Sequence, residues 1–407
     1  DMMIRVIFVA MFLISATQST RAESGCAGEN VFRRADKLHM LFADVEIDGK
    51  QMLAVIDTGA THTIIHGIGE PAALTGYVTK SISLNVFGRA GPKRHFLDVP
   101  IQVGDCGVRR RGVIETDLSI FPSFELWKFQ SFVGMNYLRD FSLKISYKYG
   151  HRLFFSPVER IEGEGIPLVM TRTYARIPVR LAGEVALDCI VDTGMDDALA
   201  LPPNIIQQLE RLGHIRKVGQ KTVFTGRGPV QDQRYILRVA QLGKRQFQNI
   251  PVGVAEQGYI GLRFFDGFDC LFDFPRERLY LNGEATSGRP MFPVDASGLG
   301  VAFGPDLRAS VRKIESGYPA STTRIQVGDR LLELDGVSVE ELSILEIRSR
   351  LSQAGSDVTL TLESKAGHYN IDLPLDRPYE YPPKWEPEDP HAAPRPFPNL
   401  DEPAKSN

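Results

Sequence analysis

Over most of the first 285 positions, apolar and polar residues alternate in short runs separated by glycine-containing turns, which is the pattern of half-buried β-strands. Asp44-Val45-Glu46-Ile47, the dipeptide Asp48-Gly49 and the run Met52 to Ile56 predict a tight hairpin, because Asp-Gly tolerates the positive φ of a two-residue turn. A longer hairpin is predicted from Ser81-Ile82-Ser83-Leu84-Asn85-Val86-Phe87, through a glycine-rich tip at Gly88-Arg89-Ala90-Gly91-Pro92, back along Phe96, Val99, Ile101 and Val103. Phe132-Val133-Gly134 follows, and Phe141 to Ile145 with Leu153-Phe154-Phe155 close this first set.

From Gly165 to Glu284 the same elements recur in the same order. Ile177 to Leu181, the turn Ala182-Gly183 and Val185 to Val191 repeat the first hairpin. Thr222-Val223-Phe224-Thr225-Gly226-Arg227-Gly228-Pro229 and Tyr235 to Leu242 repeat the second, and Tyr259-Ile260-Gly261 stands where Phe132-Val133-Gly134 stood. One helix is predicted, Pro203 to Leu212, stopped by Gly213. Each first hairpin delivers an aspartate: the two copies read Ala54-Val55-Ile56-Asp57-Thr58-Gly59 and Cys189-Ile190-Val191-Asp192-Thr193-Gly194. Gly134 lies 77 residues after Asp57, and Gly261 lies 69 after Asp192. Two copies of so long a unit mark a duplicated domain rather than a solenoid.

Beyond Phe292 the pattern changes. Val301 to Phe303, Ser310 to Ile314, Arg330 to Leu334 and Val358 to Leu362 predict strands, with a helix between the last two, capped by Ser338 and Glu341 and stopped by Gly355. This is a separate small α+β unit. After Asp376 the chain turns to proline and charge, including Pro382-Pro383 and Pro394-Arg395-Pro396, which predicts a disordered tail. The expected organisation is a leader at 1–22, two mainly-β halves at 30–157 and 165–285, the α+β unit at 290–375 and the tail at 376–407.

Composition adds bounds. With 407 residues, 43% of them apolar, the chain can bury two or three cores. A net charge of -3 gives no basic stripe for nucleic acid, and the one short basic run, Arg109-Arg110-Arg111, reads as a solvated turn. Arg5, the apolar run from Ile7 to Ile14 and the small residues of Thr20-Arg21-Ala22 predict an export leader, and hence a periplasmic or secreted protein. That run falls short of the about 20 residues of a membrane span. An uncleaved leader would instead be a membrane anchor. Export permits disulfides among Cys26, Cys106, Cys189 and Cys270, paired within halves as Cys26 with Cys106 and Cys189 with Cys270; buried thiols are the alternative. No metal-ligand spacing is present, so neither a metal nor a cofactor is expected. His62 and His66, close to the first aspartate, read as packing or surface residues.

If the halves pack about a pseudo-two-fold axis, Asp57 and Asp192 meet. Two carboxylates roughly 3 Å apart cannot both ionise, so they share a proton. The ionised member can take a proton from water while the other polarises a carbonyl, which is the chemistry of amide hydrolysis. Thr58 and Thr193 supply hydroxyls to brace the loops, and Gly59 and Gly194 allow close backbone approach.

On these residues the stretch from Val31 to Glu284 resembles the aspartic proteases, both the two-lobed pepsin-like enzymes and the retroviral type. The resemblance implies a mainly-β, two-lobed β-barrel fold with pseudo-two-fold symmetry, polypeptide substrates, and Asp57 and Asp192 as the catalytic pair. Gly194-Met195-Asp196-Asp197 is similar to the retroviral extension of the motif, which makes Asp196 and Asp197 candidate contacts to substrate backbone. The tyrosine of a pepsin-like flap is missing from both hairpin tips, so a flap on each half is expected, with Phe87 and Phe224 over the substrate. The third unit resembles a PDZ domain of the kind found in bacterial exported proteases. Gly298-Leu299-Gly300-Val301 matches its carboxylate-binding loop, and Glu315-Ser316-Gly317-Tyr318-Pro319-Ala320 with Val327-Gly328-Asp329-Arg330 its central signature. That implies a peptide or protein C-terminus docked at the loop and against Leu345 and Arg348. The expected function is an exported aspartic endopeptidase whose PDZ domain recruits substrate or regulates access. The alternative is an inactive protease-fold adaptor that binds peptides through the PDZ groove.

Overall fold

The computed structural model describes residues 40–67, 74, 77, 79–86, 89–104, 106, 108–119, 124, 128–146, 152–156, 165–225, 228–283, 292, 294–304, 306–380, 383 and 385. The expected leader, Cys26, Phe87 and the tip residues 88, 226 and 227 lie outside them. No helix among these residues is long and apolar enough to cross a membrane.

The chain folds as a mainly-β, two-lobed body followed by a smaller unit. The first lobe is a seven-stranded sheet in the order Phe42–Ile47, Lys50–Ile56, Ser131–Val133, Thr63–His66, Arg109–Thr116, Arg89–Val103, Thr79–Val86, and it curls until the first strand pairs again with Arg89–Val103. The second lobe repeats that order with Ala175–Leu181, Val185–Asp192, Tyr259–Gly261, Leu199–Leu201, Arg245–Val254, Gly228–Leu242 and Ile215–Thr225, closes in the same way, and adds Val169–Met170 at its edge. The duplication read from the sequence is thus one of strand order as well as of motif.

Asp48 and Gly49 both have positive φ, 53° and 73°, so the first hairpin turns where Asp-Gly predicted. In the second strand of each hairpin the alternation gives way to an apolar run, Ala54 to Ile56 and Cys189 to Val191, because the strand enters the core with a parallel neighbour beside it. Ala54, Val55 and Ile56 are 0% exposed. Burying a side chain such as Val or Ile fully contributes about 1.5–3 kcal/mol, which roots the aspartate that follows in the best-packed part of the lobe.

Several expectations change. The long hairpins pair almost to their ends, Val86 with Arg89 and Thr225 with Gly228, so Gly91, Pro92 and Pro229 lie in strands and the tips are shorter than the glycine content suggested. Arg109-Arg110-Arg111 begins a strand rather than a turn; Arg111 donates to the carbonyl of Asn136 and pairs with Asp140, and Arg109 stacks over Phe141. The strands Ser142–Ser146 and Arg152–Ser156 do not close the first lobe. They join Asp269–Asp273, Arg278–Asn282 and Gly165–Pro167 in a five-stranded antiparallel sheet built from both halves. Cys189 and Cys270 are buried free thiols, so no bridge joins them, and a partner for Cys106 at Cys26 lies outside the described residues.

The third unit has its own core around Val311, Leu360, Leu362 and Leu373. Its helix is Ile344–Leu351, and the capping box is Ser343 with Glu346, not Ser338 with Glu341. Ser338 is used in a short strand pairing with Arg330–Leu334 about the turn Asp335-Gly336, so the helix starts only where Ile344, Ile347 and Leu351 give an apolar stripe. A final hairpin strand, Gly367–Pro374, was not expected. Of the segment after it, residues 375–380, 383 and 385 are described, and two of them anchor it to the rest of the chain. Arg377 donates to the carbonyls of Val294 and Ser352, and Trp385 donates to Asn249 in the second lobe.

Candidate active site

The parallel partners of the two apolar strands set the site. Asp57 donates its N–H to the carbonyl of Val133 at 3.0 Å, and Asp192 lies opposite Gly261 in the equivalent ladder. Both glycines are held by contact: a Cβ on Gly134 would stand 2.4 Å from the carbonyl oxygen of His62, and one on Gly261 would stand 2.2 Å from that of Asp197. Past each glycine the backbone donates back to the aspartate loop, Met135 to the carbonyl of Ala60 at 2.8 Å and Leu262 to that of Met195 at 3.0 Å. The apolar-apolar-glycine element is therefore the floor of the loop that carries each carboxylate.

The two loops interlock across the axis. The Thr58 N–H donates to Thr193 Oγ1 and the Thr193 N–H to Thr58 Oγ1, both at 3.0 Å. Each hydroxyl in turn donates across the interface at 2.7 Å, Thr58 to the carbonyl of Val191 and Thr193 to that of Ile56. Both threonines are buried, at 0% and 1% exposure, so two N–H groups, two hydroxyls and two carbonyls satisfy one another.

This clamp brings Asp57 and Asp192 together. Asp57 Oδ1 accepts from the N–H groups of Gly59 at 2.8 Å and Ala60 at 3.1 Å, and Asp192 Oδ1 accepts from Gly194 at 2.9 Å. The two carboxyls lie beside each other, each against the glycine of the other's loop. Close approach is what makes Gly59 and Gly194 necessary: a Cβ on Gly59 would lie 2.4 Å from Asp192 Cγ, and one on Gly194 would lie 2.7 Å from Asp57 Cγ. Burial raises the pKa of both carboxyls, and the neighbouring Asp57 charge pushes Asp192 further up. One proton shared by the pair is the state these forces favour.

Asp196 and Asp197, expected to face substrate, are both held by arginines that the sequence reading did not select. Arg234, from the long hairpin strand, contacts both oxygens of Asp197 at 3.0 and 2.8 Å. Arg348, from the helix of the third unit, contacts both oxygens of Asp196 at 3.0 and 2.8 Å. No local signal marks either arginine, because each pairing spans distant parts of the chain. Tyr174, also unselected, lies within electrostatic reach of both dyad carboxylates, and burial followed by those charges raises its pKa. Phe87 lies outside the described residues, and of Phe224 only its place in the strand Ile215–Thr225 is described. His66 accepts from the N–H of Leu118 at its Nδ1, and His62 packs edge-on against His95.

In the third unit, Gly298 has φ +79°, and a Cβ there would stand 2.3 Å from that of Tyr318. Leu299, Gly300 and Val301 follow it into a strand that, among the described residues, pairs with one neighbour in its sheet, Ala309–Ile314, and Gly298 to Val301 line a cavity shared with the helix Ile344–Leu351.

Residues 293–363 match the family model of the PDZ domain. None of the curated proteins compared with the chain matches it.

Proposed function

We propose that the two lobes form an aspartic endopeptidase that hydrolyses polypeptides, and that the PDZ domain serves it by binding peptide. The observation that carries this reading is the carboxylate pair itself, brought side by side at the ends of two core strands and braced by mirrored threonine contacts. A pair of acids placed in that way has no evident structural need, since burying two carboxyls together costs stability. It is suited to holding one proton between two oxygens in reach of a water.

In this reading the ionised carboxylate, favoured at Asp57 by its two backbone donors, takes a proton from the attacking water. The water oxygen bonds to the peptide carbonyl carbon while Asp192 donates its proton to the carbonyl oxygen. As the tetrahedral diol collapses, the C–N bond breaks, the proton held by Asp57 passes to the leaving nitrogen, and one diol hydroxyl returns its proton to Asp192 as the carboxyl product forms. The pair returns with a single proton, and no covalent intermediate or cofactor takes part.

The leader expected from the sequence supports an exported protein as the setting of this activity. Cleavage of an unstructured polypeptide by the purified protein, with and without pepstatin, tests the proposal. Asp57→Asn and Asp192→Asn are each expected to lower the rate by at least about 10²-fold. Cleavage that persists in either variant overturns the assignment. Peptide binding without cleavage in the parent protein would instead establish an adaptor that works through its PDZ domain.

A further inference from the structure

The groove of the PDZ domain does not face solvent along its length, because the second lobe roofs it. A cavity of about 260 Å³ lies between them, lined on one side by Leu299, Val301 and Ile347 and on the other by Asp196, Asp197 and Arg234. Arg348, on the groove helix, is 20% exposed and grips Asp196, four residues beyond the dyad aspartate Asp192. Asp197 is gripped in turn by Arg234 on the long hairpin. The strap that follows the domain ties the same two bodies a second time. Tyr379 lies against Gly219 and beside Tyr318, and Trp385 bonds Asn249 under the guanidinium of Arg216.

Space inside the closed arrangement is limited. Ligand pockets commonly measure about 300–1,000 Å³. Strand addition along Leu299–Phe303 engages an extended segment of about 16 Å. A peptide laid along that strand and the roof supplied by the second lobe therefore compete for one place. Two states that exclude each other in this way are coupled, and the coupling is reciprocal.

We propose that this groove is an effector site gated by the Arg348–Asp196 ion pair, which a polypeptide end must open before it can bind and which releases Asp196 beside the dyad when it does. The occupant is a chain with a free carboxylate and an apolar last side chain. The N–H of Gly298 already holds a carboxylate, that of Asp295, which a chain end would displace; Lys313, paired with Glu315, is a cation of the lining, and Leu299, Val301, Ile344, Ile347 and Leu351 supply its apolar part. The consequence for catalysis rests on the proposed endopeptidase function; the gate itself does not.

The test is fluorescence anisotropy of a labelled eight-residue peptide ending in a free valine, titrated with the full chain. Asp196→Asn weakens the latch from the lobe side and leaves the strand and helix of the groove itself unchanged. Trp385→Ala loosens the strap at a distance from both the groove and the dyad. Each is expected to tighten peptide binding about fivefold, the value of a partly exposed ion pair or contact worth up to about 1 kcal/mol. The same peptide is expected to change pepstatin affinity in the parent protein by a similar factor. Affinity unchanged or weakened in both variants overturns the gate, whether or not the protein cleaves. Tightened binding in a protein that neither cleaves nor binds pepstatin keeps the gate and overturns the endopeptidase reading alone.

Discussion

The interlock of Thr58 and Thr193 makes a prediction whose size can be worked from its contacts. Thr58→Ala removes one hydroxyl and leaves two buried groups without a partner, the N–H of Thr193 and the carbonyl of Val191. An unsatisfied buried group costs about 1–3 kcal/mol, so the variant should lose about 2–6 kcal/mol. That is a large fraction of the about 5–15 kcal/mol by which domains are stable. Thr58→Ser keeps the hydroxyl and deletes only a buried methyl, at about 1 kcal/mol. Because the contacts mirror one another in length, Thr193→Ala should cost about as much as Thr58→Ala. Urea denaturation of the full chain, read as the shift in midpoint at constant slope, measures all three. Equal losses for the alanine and serine variants at position 58, or an alanine loss below about 1 kcal/mol, would refute the claim that these hydroxyls hold the loops together.

Gly59→Ala should destabilise by about 1–3 kcal/mol through overpacking and should abolish pepstatin binding, because its Cβ has no room beside Asp192; denaturation and inhibitor titration check the two effects separately. The half-buried Asp266, near Arg348, Arg263 and Asp196, has its pKa pushed up to about 7, chiefly by burial. A carboxyl whose folded pKa lies above its unfolded value holds its proton better when folded, so it loses stability as pH rises from about 4 through 7. Asp266→Asn should therefore melt with the parent at pH 4.5 and above it at pH 8, and melting curves at the two values decide this. The dyad should give a bell-shaped pH profile for cleavage, whose alkaline limb marks loss of the shared proton and stands above the ordinary carboxylate range because burial raises both groups.

Much of this was legible in the sequence because it is local. The turn Asp48-Gly49, the apolar runs into Asp57 and Asp192 and the later glycines all obey short-range rules of φ, alternation and burial, and repetition made each half a check on the other. The Thr-Gly steps were legible for a related reason: a carboxylate pair on an axis needs a donor and a small residue on each side. The capping box was misplaced by five residues because Ser338-Val339-Glu340-Glu341 and Ser343-Ile344-Leu345-Glu346 carry the same signature, and only the strand pairing of Ser338 distinguishes them. The sheet made from both halves was invisible, since nothing in Ser142–Ser146 names Asp269–Asp273 as its neighbour.

The most consequential contacts were also the least legible. Asp196 and Asp197 read as candidate substrate contacts, and the structure spends each on an arginine from a different element, one 37 positions away and one 152. A carboxylate gripped at both oxygens by a guanidinium offers little to a peptide N–H until that grip loosens. The two carboxylates differ in how much each would resist. Arg234 is 9% exposed and lies within one lobe, so breaking its pair would leave a buried charge, and Asp197 is best seen as fixed. Asp196 is 40% exposed and its partner belongs to a separately cored domain, so that pair can open by rigid-body movement at small cost. Of the two carboxylates, only Asp196 is therefore placed to exchange a domain contact for a substrate contact.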